Sequence, residues 1–216
     1  EHHKSLARDL VGTQTESNID RLFTSGDTGG SLVNMMALDM VIGSGGVLSH
    51  APMRAQSALM MMDAYAPEGV TMLTVDSIFM MPHLGVLSEH VYQAAKEVFE
   101  YDCIVKCGHC VAPVGLAKAG DPCVRVHGTG VDVSVAFGDV LVIPAGRGEF
   151  RDLTIEPAKG FDVGEGAGRP MTTKLEGGTV GIVIDARGRP LALPDGPNRI
   201  AALRKTLESM GLPLPK

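Results

Sequence analysis

The stretch that most constrains the fold runs from Met40 to Pro52, where an apolar segment ends in three glycines within four residues. The turn residues are Gly43, Ser44, Gly45 and Gly46. A helical pattern follows over Pro52–Tyr65, so the order predicts a strand, a tight turn and a helix. Glycines at such a turn either satisfy backbone sterics alone or leave bare backbone against which a ligand can lie.

A second strand is predicted at Val70–Val75, after a short link, and the two strands should be parallel neighbours. Asp76 follows at the strand end where ligands of open α/β sheets bind, so it is a candidate site residue or a cap for the next turn. His50 and His83 lie near the same ends and are either site residues or structural histidines.

The next segment, Phe79–Leu87, is apolar and contains a proline, and we predict a loop there. Ser88 is the predicted cap of a helix that runs from about Glu89 to Tyr101, with apolar residues at helical spacing.

Short, alternating, Val-rich runs dominate the chain after residue 117 and predict a small all-β barrel or sandwich. The runs are Cys123–His127, Val131–Phe137, Val140–Ile143, Leu153–Glu156, Met171–Leu175, Val180–Asp185 and Leu191–Leu193. The last two are predicted to form a hairpin whose tip exposes Arg187 and Arg189 to solvent. Pro197–Met210 is predicted as an amphipathic helix with Ile200, Leu203 and Leu207 on its apolar face.

These patterns divide the chain into three predicted parts: an α/β lobe over residues 1–117, a β-rich domain over 118–195 and a C-terminal helix over 196–216. Residues 5–25 are predicted to form short helical turns, and Ser25–Ser31 a solvated loop.

Composition narrows the function classes. A net charge of −6 without a basic cluster argues against nucleic acid as a partner. No apolar run is long enough to predict a membrane span. Four cysteines and the lack of a secretory signal predict reduced thiols and a cytoplasmic location.

The pattern Cys107-Gly-His-Cys110 allows a redox reading, because an intervening histidine favours a low thiol pKa. With Cys103, Cys123, His109 and His127 the chain also has the ligand types for zinc, although the spacing is not that of a paired zinc finger. The third interpretation is four inert thiols.

Four segments carry a resemblance to a known family: Val41–Pro52, Val75–Leu87, Ala112–Gly115 and Val180–Leu191. Together they resemble the L-type accessory proteins of glutamate mutase (methylaspartate mutase). That family looks like a branch of the acetate and sugar kinase, Hsp70 and actin superfamily of ATPases.

The resemblance implies an RNase H-like ATPase half-lobe, ATP and Mg²⁺ as cofactors, and nucleotide contacts at the glycine turn 43–46, with Asp76 beside it. It implies cobalamin-dependent mutase subunits as partners and a reactivating role. The superfamily's first phosphate motif is absent, so the chain resembles a C-terminal portion, and we expect it not to hydrolyse ATP by itself. The alternatives are a non-catalytic interaction scaffold and a thiol or zinc protein that uses Cys107 and Cys110.

Overall fold

A computed structural model describes residues 34–189, 191 and 193–214 of the chain. The helical turns predicted within residues 5–25 and the loop predicted at Ser25–Ser31 lie outside the described residues.

The described part alternates strands and helices up to residue 112 and is rich in strands after it. The strands are β1 (Met40–Gly43), β2 (Gly69–Asp76), β3 (Ile104–Ala112), β4 (Pro122–Gly128), β5 (Val131–Ala136), β6 (Val140–Ile143), β7 (Phe150–Pro157), β8 (Met171–Glu176) and β9 (Ile182–Asp185). The helices are α1 (Gly46–Ser49), α2 (Arg54–Tyr65), α3 (Met81–Val98) and α4 (Pro197–Ser209), with a π-helical turn at Phe99–Cys103.

A five-stranded mixed sheet has the order β1-β2-β3-β9-β6. Strands β1 and β2 are parallel, as predicted, and Ile42 lies opposite Thr74. Strand β3 runs antiparallel to β2 and parallel to β9, and β6 is the edge strand, antiparallel to β9. The sheet therefore places the end of β1 next to the end of β2, which brings the glycine turn close to Asp76.

A second sheet is antiparallel and has the order β5-β4-β7-β8. Its four strands correspond to predicted runs, but β6 and β9 belong to the five-stranded sheet. The described strands form two open sheets and no closed barrel, so the barrel alternative of the predicted barrel or sandwich is wrong. The three-part division at residues 117 and 195 stays a prediction, although the five-stranded sheet takes strands from both sides of residue 117.

Two apolar clusters hold the layers together. Val126, Ile155 and Ile184 belong to the cluster that joins the two sheets. Met61 and Val183 belong to the cluster that joins α2 to the opposite face of the five-stranded sheet. Each fully buried side chain of this size contributes about 1.5–3 kcal/mol. The order of layers is thus helix, mixed sheet, antiparallel sheet.

Helix α3 corrects two predictions. It begins at Met81, inside the predicted loop Phe79–Leu87, because a proline in the first helical turn loses no hydrogen bond there. Ser88 is not a cap; it lies within the helix, where its Oγ donates to the carbonyl oxygen of Gly85 at 2.6 Å.

The same helix doubles back on itself. Asp76 and Ile104 are register partners on adjacent strands, so the segment between them must return to where it started. Val91 interrupts the helix with φ −139° and ψ 69°, and this is the point at which the chain turns. Residues 81–103 therefore form a helical hairpin beside the sheet.

The C-terminal helix is confirmed over Pro197–Ser209, but its predicted apolar face is wrong in part. Leu207 packs against the core, whereas Ile200 and Leu203 are exposed. Thr206, Met210 and Leu212 are buried instead, so the helix is rotated from the predicted orientation. No helix among the described residues is both long and apolar enough to cross a membrane.

Candidate functional site

The glycine turn is closed on its inner side and open on its outer side. A Cβ on Gly43 would lie 2.6 Å from Leu48 Cδ1 and 2.7 Å from Met61 Sδ, so a larger residue there would displace these two side chains. Gly45 has φ 105°, a conformation that favours glycine, and a Cβ on it would meet open space. A Cβ on Gly46 would approach only a ring carbon of His50, at 3.8 Å. Bare backbone is therefore accessible at residues 45 and 46.

Asp76 is fully buried and joins the turn to the helical hairpin. Ser44 Oγ donates to its Oδ2 at 3.2 Å. The backbone N–H groups of Met80 and Met81 donate to the same carboxylate at 3.2 and 3.1 Å. Asp76 therefore caps the first turn of α3, as one of the two interpretations of this residue predicted. It also lies beside the glycine turn.

A pocket of about 310 Å³ lies next to the turn, between α1, α2 and the C-terminal segment. Val47, which directly follows Gly46 of the glycine turn, forms one wall, and Met60 and Leu207 form others. Gln56 brings an amide group into this apolar lining, where its Oε1 accepts a hydrogen bond from the backbone N–H of Met53 at 3.1 Å. The lining of the pocket is suited to a mainly apolar group.

Only one of the two histidines, His50, lies beside this turn. His50 is the exposed C-terminal cap of α1. His83 lies in the first half of α3, exposed, rather than in a loop at a strand end. The prediction of a loop position for His83 is corrected by the earlier start of this helix.

The cysteine motif lies inside β3, and its thiols are buried. Burial, the largest cause, raises the pKa of the Cys107 thiol to about 11 and that of Cys110 to about 12. A thiol with a raised pKa is a poor nucleophile at neutral pH. Among the described residues, no group of three His, Cys, Asp or Glu side chains could hold a metal ion. The geometry gives no support to a redox or zinc site.

A buried ionic cluster is the polar feature that the sequence reasoning missed. Arg187 and Arg189 are almost fully buried, so the predicted solvated hairpin tip is wrong. Arg187 donates to both carboxylate oxygens of Asp185, at 2.8 and 2.9 Å, and to Asp63 Oδ1 at 2.8 Å. Arg189 donates to Asp185 Oδ2 at 2.9 Å and to the carbonyl oxygen of Pro67 at 2.7 Å.

The spacing of these residues in the sequence could have indicated that their side chains lie together. Asp185, Arg187 and Arg189 are two residues apart, so an extended chain points all three side chains to one side. The second half of the predicted hairpin, Leu191–Leu193, is not a strand at either described position, Leu191 or Leu193. The cluster attaches the end of β9 to α2 through Asp63 and to the link before β2 through Pro67.

One comparison with known proteins gives a match. A family model described as MutL protein matches residues 1–103, slightly less than half of the 216 residues. No curated protein and no solved structure matches the chain.

This match corrects the family assignment made from the motifs. The matching family model is described as MutL protein and does not name glutamate mutase or cobalamin, so the glutamate mutase accessory assignment is withdrawn. The mutase subunits expected as partners are withdrawn with that assignment. The exclusion of nucleic acid as a partner is withdrawn as well, together with the rest of the partner assignment.

Proposed function

We propose that the glycine turn at residues 43–46 binds the adenosine part of a nucleotide, within a sheet that forms one lobe of an RNase H-like ATPase. The observation that carries the proposal is the open backbone at Gly45 and Gly46, held in place by the buried carboxylate of Asp76. A ribose hydroxyl needs close approach to backbone, and side chains at these two positions would prevent it.

The pocket beside the turn supports the same ligand. Its lining is mainly apolar, as small-molecule sites usually are, and Gln56 supplies a polar group for orientation. Because Val47 belongs both to α1 and to the pocket wall, a base in the pocket and a sugar on the turn would be neighbours. This arrangement favours a purine nucleoside.

The described residues do not fit Mg²⁺ and the phosphates as well as they fit the nucleoside. Asp76 already accepts three hydrogen bonds and is buried, and no group of three metal-binding side chains is found in the part of the chain that the structure describes. Phosphoryl transfer needs a metal, phosphate ligands and a positioned water. We therefore limit the proposal to nucleoside binding, and we expect this chain alone not to hydrolyse ATP.

Calorimetric titration with ATP, ADP and adenosine tests the proposal. Gly46→Val covers the open backbone without a forced conformation, since a Cβ there meets nothing closer than 3.8 Å. We expect this variant to bind at least about tenfold more weakly. Gly160→Val is the matched control, because a Cβ on Gly160 meets nothing within 4 Å and this exposed residue lies in the β-rich region. Absence of binding by the unmodified chain, or equal effects of the two variants, would refute the proposal.

A specific observation favours an interaction scaffold as a second candidate function. The helical hairpin at residues 81–103 buries only Leu84 and Ala95 of helix α3 and exposes several large apolar side chains. The two functions are compatible, because the hairpin and the pocket use different residues.

A further inference from the structure

We propose that the hairpin arm, defined as residues 81–103, binds a partner protein that presents an apolar patch bordered by lysine and arginine side chains. The inference does not depend on nucleotide binding. It rests on the packing of the arm, on the groove between its two halves, on the residue that precedes it and on its charge.

The arm is poorly packed for a segment of its length. The large apolar side chains that it exposes are Val86, Leu87, Val91, Tyr92, Val98 and Tyr101. Tyr92 and Tyr101 are 66% and 74% exposed. Aromatic side chains of this size often anchor protein–protein interfaces, so their exposure here points to a partner. Scattered exposed apolar residues need no explanation, but a cluster on one protruding element marks an interaction surface.

A groove of about 260 Å³ runs between the two halves of the arm. Met81 and Gly85 line it from the first half, and Tyr92, Lys96 and Phe99 line it from the second half and the π-helical turn. A groove formed by two helices accepts apolar side chains from a partner helix at helical spacing. The groove thus gives the partner's apolar patch a place to insert.

Phe79, just before the arm, has an unusual conformation. Its φ is 57°, in the left-handed region that non-glycine residues rarely adopt, and its side chain is 53% exposed. Backbone of this kind is found preferentially at functional sites, where it holds a side chain in a required position. Here it holds an aromatic ring outward beside the arm.

The charge of the arm selects among possible occupants. It contains four acidic residues, Glu89, Glu97, Glu100 and Asp102, against one basic residue, Lys96, so its net charge is −3 with neutral histidines. A second copy of the chain would bring acidic residues against acidic residues. Residues 1–33 carry five acidic and three basic residues, a net charge of −2, and would be repelled as well. A partner with a basic border is complementary, and such complementarity steers association.

Two synthetic amphipathic helical peptides with the same leucine face test this proposal, one with lysine and one with glutamate on the polar face. Binding of each labelled peptide to the full chain is followed by fluorescence anisotropy at low and high salt. We expect the lysine peptide to bind, to weaken with salt, and to lose at least about tenfold in affinity in Tyr92→Asp. Ile200→Asp is the control, since Ile200 is an apolar residue of similar exposure, 62%, on a different helix.

Several results would overturn the proposal. They are equal binding of the two peptides, no binding of the lysine peptide up to about 1 mM, and equal loss in the two variants. Self-association of the chain in sedimentation experiments that Tyr92→Asp abolishes would identify a second copy as the occupant instead. Adenosine binding should be unchanged in Tyr92→Asp, which separates failure of this proposal from failure of the nucleotide proposal.

Discussion

Asp76 and Asp185 each end a strand of the same five-stranded sheet, and both are fully buried, yet they have different surroundings. Asp76 accepts hydrogen bonds from one hydroxyl and two backbone N–H groups. Asp185 is paired with the guanidinium groups of Arg187 and Arg189. The carboxylate of Asp76 connects an accessible turn to a protruding hairpin, and that of Asp185 pairs with the guanidinium groups that link β9 to α2 in the interior.

The two environments also differ in electrostatics. Burial by itself would raise the pKa of Asp185, but the charges of Arg187 and Arg189 and their hydrogen bonds outweigh burial and hold it well below the usual range. Asp185 and Asp63 together balance the two guanidinium charges. A buried charge is tolerated when it is paired, and each partner becomes costly when the other is removed.

The largest effect is expected for Asp185→Asn. This change leaves two buried guanidinium groups with one carboxylate, so we expect a loss of about 3–5 kcal/mol in the free energy of unfolding. Urea denaturation followed by circular dichroism measures it. Asp132→Asn is the control, because Asp132 pairs with Arg125 on the exposed face of the antiparallel sheet and the change should have no measurable effect. Similar losses in both variants would show that burial of the Asp185 pair is not what matters.

The same carboxylate predicts a dependence on pH. Because the folded-state pKa of Asp185 lies below its unfolded value, its stabilisation is complete above about pH 4 and is lost as the pH falls through the folded-state pKa. We expect a loss of roughly 2–3 kcal/mol attributable to this group. The measurement is thermal unfolding of the wild type and of Asp185→Asn between neutral and acidic pH. Parallel curves for the two proteins would contradict the assignment.

A smaller and more local effect is expected for Asp76→Ala. Three donors lose their acceptor, with a loss of about 1–3 kcal/mol because water can reach part of this region. Hydrogen exchange should accelerate at the amides of Met80 and Met81, whereas the amides of β9 should keep their protection. Uniform acceleration across the sheet would mean that Asp76 holds the core in the same way as Asp185.

The smallest effect is expected for Ser44→Ala, which removes one hydrogen bond to Asp76 at 3.2 Å. The free energy of unfolding should fall by about 0.5–1.5 kcal/mol. If the turn binds adenosine, its affinity should also fall, because Ser44 fixes the turn relative to the hairpin. Unchanged affinity together with reduced stability would indicate that the serine serves the fold alone.

Local patterns predicted the elements whose sequence periodicity agrees with their packing. The parallel pair β1–β2 and the intervening helix α2 were predicted, and so were the four strands of the antiparallel sheet. The start of helix α3 was missed because its capping carboxylate, Asp76, lies four residues before the N–H group of Met80 that it binds. Strand β3 was not predicted because Cys107, Gly108 and Cys110 were interpreted as a redox or zinc-binding motif rather than as part of a strand.

The sequence by itself determined the strand, glycine turn and helix at residues 40–65, since backbone sterics at glycine and apolar periodicity act over a few residues. Only the tertiary structure decided that Arg187 and Arg189 are buried. Their burial depends on groups more than a hundred residues earlier, Asp63 for Arg187 and the carbonyl oxygen of Pro67 for Arg189, and on the layer of α2 against the sheet. A short polar run looks solvated until a distant carboxylate supplies the countercharge that makes its burial possible.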